Sequence, residues 1–143
     1  TKKEIQTQSH MEVTMQTLKV LLVDDHAPFR HSLAEFLQSQ AGVQVVGEAA
    51  DGAAAVEQVG QLHPDLVLMD ASMPKLGGYE ATRAIKRDHP NTHVVILSSH
   101  IGEVYRKAAF ESAADGYIEK NSVKTALLSL IEKEQGRIVR VAI

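Results

Sequence analysis

The chain has 143 residues, with 15 Lys and Arg against 18 Asp and Glu, and a net charge of −3. This length predicts one domain, and so mild an acidic balance argues against binding nucleic acid through electrostatics alone. The absence of cysteine excludes disulfide frameworks, thiolate metal sites and cysteine nucleophiles, and no apolar run approaches the roughly 20 residues of a membrane-spanning helix.

Short apolar runs alternate along the chain with segments of helical period. Runs of four to six residues, bounded by polar ones, suit strands that are buried on both faces of a parallel sheet. The predicted strands are residues 18–23, 43–46, 66–69, 94–97 and 116–119, and the predicted helices are residues 29–37, 52–60, 79–87, 104–110 and 123–134. This (βα)5 alternation predicts an α/β fold, a doubly wound five-stranded parallel sheet with helices on both faces.

The two ends of the chain do not continue this alternation. Residues 1–16 are polar without a sustained period and are expected to form a flexible lead-in. The predicted domain covers residues 17–136, and the apolar, β-prone residues 137–143 are expected to begin a linker or tail. Within the domain, the basic stretch of Arg83, Lys86 and Arg87 is interpreted as a solvated helix face.

Polar side chains follow four of the predicted strands. Ligands of open α/β sheets bind beyond the carboxyl ends of the strands, where this chain places Asp24, Asp25, Asp70, Ser98 and Lys120. Three carboxylates in one pocket repel one another unless a cation is present, and a hard divalent ion such as Mg²⁺ satisfies them. One carboxylate can then attack phosphorus while an ammonium and a hydroxyl group bind the oxygens of the transferring group.

Four motifs carry a resemblance to a known family. They are VLLVDDH at 20–26, DLVLMDASMPKLGG at 65–78, VILSS at 95–99 and ADGYIEK at 114–120. Over residues 18–136 the chain resembles the receiver domains of two-component response regulators. With DDH at 24–26 and Lys120 followed by Asn121, it looks most like the subfamily with a C-terminal helix-turn-helix output domain. The resemblance implies the flavodoxin-like receiver fold with strand order 2-1-3-4-5.

The resemblance also implies roles for single residues. Asp70 corresponds to the phosphoacceptor. Mg²⁺, for which Mn²⁺ is an expected substitute, would be held by Asp25, Asp70 and the backbone carbonyl of Ser72, with Asp24 acting partly through water. Lys120 would pair with the phosphoryl group and Ser98 would hydrogen-bond to it, whereas Tyr117 corresponds to the switch aromatic. Departures from the family pattern at Ala71, Gly77 and Ser99 remove no reactive group.

The partners implied by the resemblance are those of a signalling switch. A histidine kinase or phosphotransfer protein would donate the phosphoryl group, and self-association is expected at or near the surface of the predicted fourth helix, fifth strand and last helix. DNA would be contacted only through an output domain outside this chain. No membrane contact is implied, and the expected location is the cytoplasm.

Three functional hypotheses follow from these residues. The leading one is a phosphorylation switch that is not a metabolic enzyme and catalyses only its own phosphorylation and dephosphorylation. The first alternative is an interaction module that keeps the fold without using phosphate, which the presence of all five polar site residues argues against. The second is a small phosphohydrolase, but Ser72 stands where such enzymes usually carry a second Asp.

Overall fold

Five parallel strands form one sheet in the spatial order β2-β1-β3-β4-β5 in a computed structural model, which describes residues 16–142 and side chains up to residue 139. The strands are β1 (Leu18–Val23), β2 (Val43–Ala49), β3 (Leu66–Asp70), β4 (His93–Ser98) and β5 (Gly116–Glu119). Consecutive neighbours pair in parallel, with a register shift between Val20 and Leu21 where β1 meets β2. The predicted fold class and strand order are therefore confirmed.

A helix follows each strand. The helices are α1 (Ala27–Gln38), α2 (Gly52–Leu62), α3 (Gly78–Asp88), α4 (Glu103–Glu111) and α5 (Val123–Ala142), and a 3-10 turn at Lys120–Ser122 joins β5 to α5. Helix α1 carries a proline in its first turn, where the missing N–H has no intrahelical partner in any case. Helix α2 begins where an Asp51 side-chain oxygen accepts a hydrogen bond from the Ala54 N–H at 2.8 Å.

The core lies on both faces of the sheet, because successive strand residues point to opposite sides. On one face, buried residues such as Val20, Leu68 and Val95 pack with α1 and α5. On the other face, residues such as Val67 and Ile96 pack with α2, α3 and α4. None of the helices in this part of the chain combines the length and the apolar character that crossing a lipid bilayer requires.

The end of the described chain differs from the sequence prediction. Residues 137–142 continue α5 as a helix and are not extended, despite their β-branched composition. Ile138 is buried in the core between the sheet and helices α1 and α5, and Arg137 donates a hydrogen bond to the carbonyl of Asp65 at 3.0 Å. Tertiary packing therefore outweighs local β propensity here. The domain bounds themselves stay a prediction, and residues 1–15 of the expected lead-in lie outside the described residues.

Candidate functional site

The loops that follow β1, β3, β4 and β5 meet at the carboxyl edge of the sheet and line an open cleft of ≈ 610 Å³. The structure brings together in this cleft the residues that the sequence places after the strands: Asp24, Asp25, Asp70, Ser72, Ser98 and Lys120. The parallel topology accounts for this convergence, since the carboxyl ends of all five strands lie on one edge. Tyr117 lies on the adjacent strand β5 and does not line the cleft.

Three carboxylates form the acidic part of the cleft. One oxygen from each of Asp24, Asp25 and Asp70 lies within 4.8 Å of the other two. Asp24 and Asp70 are buried, whereas Asp25 is exposed at the mouth of the cleft. Because water has little access to the two buried groups, their charges repel each other more strongly than they would at the surface.

Lys120 is shared between the two buried carboxylates. Its Nζ lies 2.7 Å from Asp24 Oδ2 and 3.0 Å from Asp70 Oδ1, and 4.6 Å from the centre of the Phe29 ring. Burial lowers the pKa of Lys120, but the hydrogen bonds to Asp24 and Asp70 outweigh this and raise it above its usual value. With every group ionised, one ammonium against three carboxylates leaves an excess of two negative charges.

Asp70 combines burial with the neighbourhood of two other carboxylates. Burial raises the pKa of Asp70 to about 6, the hydrogen bond from Lys120 opposes that rise, and the charges of Asp24 and Asp25 add to it. A carboxylate in this position is held in its ionised form at neutral pH against the preference of its surroundings. An added cation would therefore stabilise the ionised form of Asp70.

Arg30, which the sequence reading missed, fixes the loop that carries the acidic pair. Its guanidinium donates to the backbone carbonyl of Asp24 at 2.6 Å and to Glu48 Oε1 at 2.8 Å. Asp24 Oδ1 also accepts the backbone N–H of His26 at 2.9 Å. No local pattern marks Arg30, because an arginine in the second turn of a helix is common and its partners lie on two other elements.

Gly78 allows α3 to begin directly against the end of β3, and its role was also missed. A Cβ at this position would lie 2.0 Å from the carbonyl oxygen of Asp70, closer than such atoms can approach. Its N–H donates to the carbonyl of Ala71 at 3.2 Å. The Gly77-Gly78 pair was the available signal, since adjacent glycines often mark a close approach of two backbone segments.

Ser98 and Tyr117 are joined through one backbone carbonyl. The Ser98 hydroxyl donates to the His100 carbonyl at 3.3 Å and accepts the His100 N–H at 3.1 Å. The Tyr117 hydroxyl donates to the same carbonyl at 2.8 Å. Neither side chain can leave this arrangement without changing the hydrogen bonds of the loop between β4 and α4.

The donor set of the cleft fits a hard divalent cation. Carboxylate oxygens are the ligands that Mg²⁺ prefers, and an exposed mouth leaves room for the waters that this ion retains. The uncompensated charge of the three carboxylates matches its charge of two. Ser72 lines the same cleft, beside Asp70 and the exposed Asp25.

Comparison with known proteins identifies the relatives of this chain. Residues 20–132 match the response regulator receiver domain family. The response regulator protein VraR of Staphylococcus saprophyticus is 42% identical over 118 residues, which are 81% of this chain and 56% of that protein. The chain therefore spans little more than half the length of this curated relative.

Solved structures agree with this assignment. A two-component response regulator of the LuxR family from Aurantimonas sp. has a TM-score of 0.79 and 35% sequence identity, and the match covers 85% of this chain and 86% of the other. The signal receiver domain of the putative response regulator NarL from Mycobacterium tuberculosis has a TM-score of 0.79 and 30% identity, with 85% of this chain and 98% of the other covered.

Proposed function

The chain belongs to the response regulator receiver domain family, and from that premise we propose that it is a switch in which Asp70 accepts a phosphoryl group. The observation that carries the proposal is the convergence of three carboxylates, one ammonium and one hydroxyl in a single open cleft. Asp70 is the nucleophile because its raised pKa makes its carboxylate more basic and Lys120, 3.0 Å away, can balance the charge that the phosphoryl group brings.

The proposed reaction transfers a phosphoryl group from a histidine nitrogen to a carboxylate oxygen of Asp70. A carboxylate oxygen of Asp70 attacks the phosphorus of a phosphohistidine on a histidine kinase or phosphotransfer protein. The new P–O bond forms as the P–N bond breaks, and the electron pair of that bond stays with the imidazole nitrogen. Lys120, already within 3.0 Å of Asp70, balances the negative charge on the oxygens of the transferring group.

The switch returns to its resting state by hydrolysis. Water attacks the phosphorus, the P–O bond to Asp70 breaks, and inorganic phosphate leaves while the carboxylate is restored. Bound Mg²⁺, or Mn²⁺ in its place, supplies positive charge for both the phosphorylation and the hydrolysis. Asp25, Asp70 and the backbone carbonyl of Ser72 would hold the ion, with Asp24 acting partly through water.

The signal leaves the cleft through Ser98 and Tyr117. A phosphoryl oxygen on Asp70 is a stronger acceptor than the His100 carbonyl, so the Ser98 hydroxyl turns towards it. The loop between β4 and α4 then loses both of its bonds to Ser98, and Tyr117, which donates to the same carbonyl, changes position. This change shifts the equilibrium between two conformations of the domain, which differ in one of its surfaces.

The altered surface would control an output domain that regulates transcription. Self-association or contact with an output domain follows from the shift around α4, β5 and α5, and DNA is contacted only through that output domain. The protein would work in the cytoplasm, where kinase donor, phosphoacceptor and DNA meet. Its only catalysis would be of its own phosphorylation and dephosphorylation.

Intact-mass measurement with a small acyl phosphate and Mg²⁺ tests the proposal. The parent chain should gain one phosphoryl group, and Asp70→Asn should gain none. Asp115→Asn, which removes a carboxylate at the opposite end of the sheet, serves as the matched control and should be labelled like the parent. Full labelling of Asp70→Asn would contradict the assignment, and an unlabelled parent would support a phosphate-independent interaction module.

A further inference from the structure

The loop between β3 and α3, residues 71–77, follows Asp70 directly and carries the backbone carbonyl of Ser72. Its first residue is fixed to the sheet, because the Ala71 N–H donates a hydrogen bond to the Leu97 carbonyl at 2.9 Å. Within the described chain, no backbone–backbone hydrogen bond involves residues 72–75. The position of the Ser72 carbonyl therefore depends on how the far end of the loop is held.

The far end of the loop is held by the start of α2. The N–H of Gly52 donates a hydrogen bond to the carbonyl of Leu76 at 3.0 Å. One residue earlier in each segment, Lys75 Nζ lies 3.8 Å from Asp51 Oδ2, but the lysine is 76% exposed and such a pair stabilises little. The backbone hydrogen bond is thus the stronger of these two polar contacts between the loop and α2.

The loop and α2 approach so closely that only glycine fits at position 52. A Cβ on Gly52 would lie 2.2 Å from the carbonyl oxygen of Leu76, whereas real Cβ atoms essentially never come within 3.0 Å of another heavy atom. A backbone carbonyl cannot turn aside as a flexible side chain can, so a larger residue would push the two segments apart by about 0.8 Å or more.

The backbone of the loop is also strained beside this contact. Lys75 has a φ of 67°, in the left-handed region that a residue with a Cβ seldom adopts. Such a conformation persists where the surrounding structure holds it in place. The contact of Leu76 with Gly52 lies one residue further along the chain and provides such a restraint. A change at Gly52 is therefore expected to reach the loop.

We propose that Gly52 is a positioning residue, which brings α2 against Leu76 and so holds the Ser72 carbonyl beside Asp25 and Asp70. The inference rests on the proposed function, in which that carbonyl is a ligand of Mg²⁺. This ion demands near-ideal octahedral geometry, so a ligand that is displaced by most of an ångström binds it poorly. None of the described residues of α2 lines the cleft, and the helix acts through the loop.

Gly52→Ala tests the proposal directly. Isothermal titration calorimetry at pH 7 should show Mg²⁺ affinity about tenfold below that of the parent chain, the loss typical when the support of a metal ligand is removed. Labelling by a small acyl phosphate should need correspondingly more Mg²⁺ for its half-maximal rate, whereas the rate at saturating Mg²⁺ should stay close to that of the parent. In metal-free protein, the amide NMR signals of residues 71–76 should be displaced.

Two variants of the same helix serve as controls. Gly60→Ala makes the same substitution where an added Cβ meets no atom within 4 Å, and it should bind Mg²⁺ like the parent. Val59→Ala removes two methyl groups from a fully buried side chain and lowers the free energy of unfolding without touching the loop. It should also bind Mg²⁺ like the parent, which separates the position of the loop from general stability.

Hydrogen exchange in the parent chain provides a test that does not depend on the folding of Gly52→Ala. Because coupling between two events is reciprocal, saturating Mg²⁺ should slow exchange of the Gly52 N–H by about the same tenfold. The N–H of His63, which donates to the Val59 carbonyl at the other end of α2, reports the effect of Mg²⁺ on the helix as a whole. Its exchange should slow by a smaller factor.

The outcomes separate this inference from the function on which it rests. Parent-like Mg²⁺ affinity in folded Gly52→Ala overturns the role of Gly52 and leaves the proposed function intact. Equal weakening in Gly60→Ala or Val59→Ala also overturns it, as does exchange of the Gly52 N–H that responds to Mg²⁺ no more than that of His63. A parent chain that binds no Mg²⁺ contradicts the proposed function and this inference with it.

Discussion

The two ends of the sheet hold the same kinds of charged side chain in different proportions. At the carboxyl end, Asp24 and Asp70 share one lysine while Asp25 adds a third negative charge. At the amino end, the buried Glu134 and the partly exposed Asp115 are each paired with a cation. Lys86 Nζ lies 2.9 Å from Asp115 Oδ2. The carboxyl end therefore has an excess of negative charge, whereas the charges at the amino end are balanced.

The amino end is also saturated with hydrogen bonds. Lys86 donates to the carbonyls of Pro90 and Thr92 at 2.9 and 3.0 Å as well as to Asp115. Glu134, which is 4% exposed, lies between His93 at 2.8 Å and Arg137 at 2.6 Å. Such networks stabilise the fold because every buried polar group has its partner.

The difference explains why chemistry is expected at one end alone. Buried charges that are fully paired gain nothing from a ligand, whereas a cluster with excess negative charge is stabilised by a bound cation, which can also balance the charge of an incoming phosphoryl group. Charged residues at the two ends cannot be told apart by type. The ratio of carboxylates to cations, and the burial of the unmatched groups, distinguish a reactive cleft from a structural network.

The largest expected effect is on the free energy of unfolding, and removing a carboxylate changes it in opposite directions at the two ends of the sheet. The pKa of Asp70 is raised from 3.8 to about 6, so the folded protein keeps a proton that the unfolded chain has already released. Metal-free stability therefore falls as the pH rises between about 4 and 6. At pH 7 Asp70→Asn should raise the free energy of unfolding by up to about 3 kcal/mol, measured by urea denaturation without metal.

The same change at the amino end should be destabilising. Asp115→Asn leaves Lys86, which is 13% exposed, without its carboxylate, and should cost about 1–2 kcal/mol. Added Mg²⁺ should stabilise the parent chain and Asp115→Asn, and should stabilise Asp70→Asn much less. If both substitutions destabilise the protein to the same extent, the contrast between the two ends is wrong.

The second effect is on the pH dependence of metal binding. Because a proton on Asp70 competes with the ion, Mg²⁺ affinity should fall about tenfold for each pH unit below about 6. Isothermal titration calorimetry of the parent chain between pH 7 and 5 measures this dependence. Asp70→Asn should bind Mg²⁺ weakly, and its Mg²⁺ affinity should show no change of slope near pH 6. An affinity that stays constant over this range would exclude Asp70 as a ligand.

The smallest effect tests Asp25. Asp25→Ala removes an exposed carboxylate at the mouth of the cleft, and Mg²⁺ affinity should fall about tenfold while the fold is kept. Asp88→Ala removes an exposed carboxylate at the amino end and controls for net charge. Equal losses in the two variants would indicate long-range electrostatics in place of a ligand at Asp25.

Local patterns in the amino-acid sequence predict the framework of this protein. Five short apolar runs with helical segments after them predict the sheet, and parallel topology forces residues that follow those runs to one edge. Asp24, Asp70, Ser98 and Lys120 could be placed together for that reason. Each of these inferences uses a local pattern, or one rule about where strand ends meet.

Contacts between distant elements follow from the tertiary structure. Lys86, interpreted as part of a solvated face, is instead largely buried, because Asp115 approaches it from 29 positions away. The helical residues 137–142 and the contact of Arg106 with Tyr117 likewise depend on how α5 and α4 lie against the sheet. Local periodicity carries no record of such approaches, since they arise when long-range packing brings separate segments within a few ångströms.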